Sequence, residues 1–148
     1  LLYTGGHADN PEFFELLQQN DAHVVSDNTG FGTRAADVLI CEDGDPLEAI
    51  INYYFEEKPA ATRQMGTQVE RMERLLDLVK QYKADGVVAS RLYMCDLWAF
   101  EHFLMRKRLH ENNVPFLELE VDYTPEGQGQ IKTRVQAFVE SLADRQTA

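Results

Sequence analysis

The stretch DGVVASRLYMCDLWAFEHFLMRKRL, residues 85 to 109, decides how this chain is read. A short apolar run (Val87, Val88, Ala89) follows the turn residues Asp85–Gly86 and ends in a polar corner. Its length and β-branched content predict a strand over 85–90. Beyond Cys95 the spacing changes to a helical one, with Leu97, Phe100, Leu104 and Leu109 as the expected inward stripe. One of only two cysteines therefore stands where a strand gives way to a helix.

Working outward, the same alternation recurs. LLYT (1–4), AHVVSD (22–27) and VPFLELEVD (114–122) read as further strands. Between them lie helical patterns. PEFFELLQQN has Pro11 at a first helical position after Asn10 as cap, and DPLEAIINYYFEE has Asp45 as cap, Pro46 next and Glu48 in a capping-box position. TQVERMERLLDLVKQYKADG carries Val69, Met72, Leu75, Leu76, Val79 and Tyr82 on one face, with Gly86 just past its end. QIKTRVQAFVESLADR closes the chain on Ile131, Val135, Phe138, Val139 and Leu142. Strands alternating with helices imply a parallel sheet. The expectation is one α/β domain over 1–148: a small flavodoxin-like open parallel sheet of about four strands, order 2-1-3-4, with helices on both faces. Residues 29–44 are compatible with a short strand, a helical turn or a loop.

Composition narrows the function classes. A chain of 148 residues, 44% apolar and 26% charged, is that of an ordinary globular domain. A net charge of −11 argues against nucleic acid as partner. The one basic cluster, RKRLH at 106–110, sits in the last turns of a helix, where cations complement the dipole. No apolar run approaches the roughly 20 residues of a membrane span. Cys41 and Cys95, far apart and without CxxC spacing, form neither a disulfide framework nor a complete zinc site, which fits a reducing, cytoplasmic setting. The opening LLYTGG reads as a strand already in progress, so the chain is expected to be a fragment of a larger protein, lacking what precedes Leu1.

In an open parallel sheet, ligands bind beyond the carboxyl ends of the strands. Those ends supply Gly5, Gly6 and His7; Asp27, Asn28, Thr29 and Gly30 with Arg34 close behind; Tyr93, Met94 and Cys95; and Asp122, Tyr123 and Thr124. TGG after a strand would let a backbone approach a phosphate, but it lacks GxGxxG spacing and reads more readily as a tight turn. His23, His102 and His110 are given no role. Asp122 is also a turn-capping residue. For Cys95 two readings stand: a buried small hydrophobe, or a thiolate favoured by the helix dipole and opposed by Asp96 unless a metal takes the proton's place. Cys41, inside VLICED, reads as the former.

Residues 85–142 resemble the D-component family, which comprises 2-hydroxyacyl-CoA dehydratase subunits and the related benzoyl-CoA reductase subunits. The resemblance lies in Cys95 opening a helix with Trp98 after it, Val114–Pro115 leading a strand to Asp122 and Thr124, then Gln130–Ile131, Thr133–Arg134, Ala137–Phe138 and Glu140. It extends to LLYTGG and to the acidic loop VVSDNTGFGTR, with Asp27 and Arg34. The resemblance implies that Cys95 is one of three thiolates holding a [4Fe–4S] cluster, the other two lying outside this chain. It implies one-electron chemistry on an acyl-CoA thioester: a ketyl radical anion from which a hydroxyl leaves, or, in the reductase branch, electrons entering an aromatic ring. A homologous second subunit, an ATP-dependent iron–sulfur activator and an acyl-CoA substrate are the implied partners. Gly5, Gly6, His7, Asp27, Arg34 and Asp122 form the implied substrate edge. The chain alone is expected to be inactive. Two further readings stay open: a non-catalytic flavodoxin-like interaction domain, and a nucleotide- or flavin-binding module.

Overall fold

A computed structural model describes residues 1–6, 11–122 and 128–147, leaving aside the side chains of 128, 146 and 147. The elements run β1 (Leu2–Gly5), α1 (Pro11–Gln18), β2 (Ser26–Asn28), α2 (Thr33–Ala36), α3 (Pro46–Asn52), a π-helical turn (Tyr53–Glu57), α4 (Gln68–Gln81), β3 (Val87–Leu92), α5 (Asp96–Glu111), β4 (Phe116–Val121) and α6 (Gln128–Thr147). The four strands form one parallel sheet in the order β2-β1-β3-β4, as the sequence predicts. The expected cap at Asn10 lies outside the described residues.

Strand alternation builds two apolar layers. Leu2, Val87 and Ala89 face one side and pack with Leu75, Leu76, Val79, Met105 and Leu109 of α4 and α5. Leu1, Tyr3, Val88, Leu117 and Leu119 face the other and pack with Leu17 of α1 and Val135 and Leu142 of α6. Burial of one such leucine contributes about 1.5–3 kcal/mol relative to leaving it in water. The Tyr3 hydroxyl, fully buried, hydrogen-bonds Ser90 on the neighbouring strand, and burial pushes its pKa up to about 12.

Several expectations need correction. β2 is short: of 22–27 only Ser26 and Asp27 belong to it, although the Val25 amide donates to the Leu1 carbonyl (2.9 Å) and the Leu1 amino group to the His23 carbonyl (2.6 Å) just ahead of it. The helix at 46 starts as predicted, with Asp45 accepting from the amides of Leu47 (2.8 Å) and Glu48 (3.1 Å). It then loosens into the π turn, where Tyr53 turns inward and donates its hydroxyl to the Ala35 carbonyl (2.8 Å). On α4, Met72, Leu75, Leu76 and Val79 are buried, but Val69 and Tyr82 are exposed and Arg71 takes a core position. The α5 stripe is rotated. Only Leu109 of the predicted four is fully buried, Leu97 and Phe100 are exposed, and the inward face carries Glu101, His102 and Met105.

Gly5 closes β1 with φ +125°, and a Cβ there would lie 2.1 Å from the Ser90 carbonyl oxygen of β3. Both the left-handed backbone and the close approach require glycine. Gly5→Ala is expected to destabilise the fold by at least about 2 kcal/mol. Urea unfolding of the variant beside wild type checks this, and an unchanged midpoint would show that the two strands separate at no cost.

Candidate functional site

The sheet has its switch point between β1 and β3, since the chain leaves β1 toward β2 on one side and β3 toward β4 on the other. Beyond that point the carboxyl ends of the strands form the ligand-binding edge of such sheets. Gly5 and Gly6 lie there, the Gly6 amide donating to the Ser90 carbonyl (2.7 Å). β3 ends at Leu92, and Met94 adopts a left-handed conformation (φ 62°) that turns the chain sharply. Cys95, whose amide donates to the Leu92 carbonyl (3.1 Å), then stands at the N-cap of α5.

That corner leaves the thiol half-exposed at the start of a 16-residue helix with no side-chain cap on its first turn. Its neighbours Tyr93, Met94 and Leu97 are exposed apolar residues. A single such thiol suits a ligand position in a site completed by other parts of a protein. Among the described residues no group of three or more His, Cys, Asp or Glu is arranged to hold a metal ion. Cys41, expected to be a buried small hydrophobe, lies instead in the exposed loop after α2, its sulfur 3.8 Å from the Asp43 carbonyl oxygen.

The loop after β2 is organised by Asp27. Its carboxylate accepts from the Thr29 amide (2.9 Å) and hydroxyl (2.6 Å) and from the Thr33 amide (3.3 Å) and hydroxyl (2.7 Å). Burial pushes this carboxyl up, but the threonine hydrogen bonds outweigh it and hold its pKa below the usual range. Gly32 makes the arrangement possible, since a Cβ there would sit 2.0 Å from Asp27 Oδ1. Asp27 thus holds the turn that places Arg34 on α2. The Arg34 guanidinium bends back over Gly30 and enters a narrow cleft with Thr4, Asn28, Arg71, Arg74 and Trp98.

The cleft floor is a buried ion pair. Arg71 Nε donates to Glu101 Oε1 (2.7 Å) and Nη2 to Oε2 (2.8 Å), while Nη1 donates to the carbonyls of Ala61 and Gln64 (both 3.2 Å) and to the Thr67 hydroxyl (2.5 Å). Trp98, one turn after Cys95, walls the cleft and lies 3.6 Å from where a Gly6 Cβ would be. The corner, the glycines and Arg34 therefore belong to one edge. Asp122 follows β4 and is exposed. His7, Tyr123 and Thr124 lie outside the described residues.

Sequence reasoning passed over Arg71, Arg74, Glu101 and His102. The signal was present: Arg71 shares the helical phase of Leu75 and Leu78, and Glu101 that of Met105 and Leu109, so two opposite charges occupy apolar positions of two helices. His102 is fully buried between Trp98 and Phe116 (ring centroids 5.9 and 6.3 Å), with Nδ1 3.5 Å from Glu118 Oε1. Burial holds its pKa below the ordinary value despite Glu118. Burial raises the Glu118 carboxyl, but His102, Arg106 and Arg91 outweigh that and hold it low. The 106–110 cluster is structural as expected: Arg106 pairs with Glu118, and Arg108 lies 3.6 Å from Glu111.

With this geometry in place, comparison with known proteins adds the family. The family model described as 2-hydroxyglutaryl-CoA dehydratase, D-component, matches residues 1–142. A protein of Escherichia coli K12 named as a dehydratase subunit, YjiM, is 28% identical over 139 residues, covering 93% of this chain and 35% of that protein. The (R)-phenyllactyl-CoA dehydratase beta subunit of Clostridium sporogenes is 25% identical over 146 residues, covering 96% of this chain and 37% of that subunit. The (R)-2-hydroxyglutaryl-CoA dehydratase subunit beta of Acidaminococcus fermentans is 25% identical over 140 residues, covering 89% and 36%. The chain thus spans a little over a third of the length of these curated relatives. Among the described residues no helix is long and apolar enough to cross a membrane.

Two outcomes follow from the buried charges. Glu101→Ala strands Arg71 in the core and is expected to cost about 3–5 kcal/mol, whereas Arg71→Met combined with Glu101→Leu recovers most of that loss. Urea unfolding of both variants beside wild type decides it, and a double variant no more stable than Glu101→Ala would contradict it. His102, with its folded pKa below the unfolded value, binds a proton more readily when unfolded, so stability is expected to fall as pH drops through about 6.5. Unfolding midpoints from pH 7.5 to 5.5 should flatten in His102→Phe; an identical slope would remove His102 as the cause.

Proposed function

This chain belongs to the 2-hydroxyglutaryl-CoA dehydratase D-component family, and we propose that it forms the C-terminal domain of an iron–sulfur subunit acting on acyl-CoA thioesters. The reaction type is that of a 2-hydroxyacyl-CoA dehydratase or a benzoyl-CoA reductase. The observation that carries this reading is Cys95: a half-exposed thiol at the strand-to-helix corner beside the sheet's switch point. Relatives named as beta subunits support the placement within a multi-subunit enzyme.

In this reading Cys95 supplies one of three thiolates to a [4Fe–4S] cluster, with the other two cysteines outside this chain. When bound, such a cluster supplies single electrons to the thioester and an open iron position that polarises oxygen. The chain's own residues do the rest. Cys95 stands at the N-cap of α5, the positive end of the helix dipole, with no side-chain cap on the first turn. Tyr93, Met94 and Leu97 supply apolar surface that excludes water once covered. Gly5 and Gly6 keep the neighbouring strand end free of side chains, and Asp27 holds Arg34 on the same edge. A homologous second subunit and an ATP-dependent activator complete the system in this proposal.

A second reading, a non-catalytic interaction domain, draws on the exposed apolar row Leu97, Phe100 and Phe103 of α5. Iron and sulfide analysis of the full-length subunit with its partner, purified without oxygen, separates the two. Wild type should hold roughly four irons per subunit and Cys95→Ser should lose most of them. Iron content unchanged by the substitution would mean that Cys95 only packs and would favour the second reading.

A further inference from the structure

The segment from α3 through the π turn has the pattern of a core helix and covers nothing. Leu47, Ile50, Ile51, Tyr54 and Phe55 follow the i, i+3, i+4, i+7, i+8 spacing of a buried stripe. Yet all five are between 43% and 79% exposed, and α3 has no buried residue. Tyr53 alone turns inward, to the Ala35 carbonyl. A helix of seven residues gains little from its own hydrogen bonds, since isolated helices shorter than about 12–15 residues are marginal in water. Helices this short are held by the surface packed against their apolar face, and among the described residues no such surface meets this stripe.

Charge selects what covers it. Residues 41–57 carry Glu42, Asp43, Asp45, Glu48, Glu56 and Glu57 and no Lys or Arg, so more than half of the net charge of −11 lies in this one segment. All six carboxylates belong to exposed residues. Lys58, the first cation beyond them, is engaged with the Tyr54 ring, its Nζ 4.7 Å from the centroid. A second copy docking through the same face would set these carboxylates against an identical set, and like charges opposed across an interface are costly. An anionic lipid surface is repelled for the same reason.

We propose that the face formed by α3 and the π turn docks a different protein chain, whose contact surface is an apolar groove rimmed by lysines and arginines. The stripe fills the groove as an amphipathic helix does, with its anchors at helical spacing. The surrounding carboxylates meet the basic rim, which steers the approach and rejects acidic competitors. Tyr54 and Phe55 bring the largest apolar area to the contact, as aromatic anchors do at the centre of interfaces. The proposal rests on the reading above in taking this chain as one part of a multi-subunit protein, and it uses none of the residues assigned to the Cys95 edge.

The test uses the full-length subunit assembled with its partner, carrying photoreactive benzoylphenylalanine in place of Ile51. After irradiation the cross-linked peptides are identified by mass spectrometry. The expected cross-link joins position 51 to a peptide of the partner chain that contains Lys or Arg. A cross-link within the same chain, one to a second copy, or none to protein overturns the proposal. The charge argument is checked with Glu56→Lys combined with Glu57→Lys, whose unfolding midpoint should stay near that of wild type because both residues are exposed. Sedimentation at about 50 mM NaCl should show this variant binding the partner about tenfold more weakly. Affinity unchanged by the charge reversal overturns the proposal as well. Iron content measured on the same samples keeps the two readings apart, since docking lost with iron retained concerns this face alone.

Discussion

Arg71 and Glu101 hold the working edge of this molecule together. Their two parallel hydrogen bonds join α4 to α5, and the remaining guanidinium nitrogen ties the 61–67 loop to the same point. Two charges removed from water repay their desolvation only with geometry of this quality. Once the pair is buried, the rotation of both helices follows. Met72 and Leu75 on α4 and Met105 and Leu109 on α5 then face the sheet, and Trp98 swings over Gly6 and the cleft.

The same constraint explains why α5 presents apolar residues outward. Satisfying Glu101 and seating His102 between two aromatic rings uses the inward face. Leu97, Phe100 and Phe103 are left exposed, together with Met94 and Tyr93 at the corner. A row of this size on one side of a functional edge is what further protein would cover. Exposed apolar surface, the Cys95 thiol and Arg34 occur along one edge of the sheet.

The loop after β2 shows a smaller version of the same logic. One carboxylate, Asp27, gathers two threonines and requires glycine at 32, so a loop of little regular structure is nevertheless specified. Tyr53 adds a second tether by donating to the Ala35 carbonyl, and Asp37 reaches Arg74. Arg34 is therefore positioned from three directions although it belongs to a helix of four residues.

Much of this was legible in the chain itself. The switch from strand to helix period at residues 85–109, repeated along the sequence, determines a four-stranded parallel sheet, and the position of Cys95 at a strand end follows from it. Local signals act over a few residues, so Asp45 capping α3 could be read directly, whereas α4 ends at Gln81 with Lys83 in the left-handed conformation (φ 49°), ahead of the Gly86 expected to close it. The rotation of α5 could not, because periodicity ranks leucine and phenylalanine above glutamate and histidine as core residues. Only a partner on another helix makes Glu101 cheaper to bury than to expose. The meeting of Arg34 with Arg71 and Arg74 is likewise tertiary: Arg34 stands on α2 and the other two on α4, so packing rather than sequence separation brings them to one cleft. The alternation of the chain determined the sheet and its edge; the matching of buried charges across elements decided which side chains that edge presents.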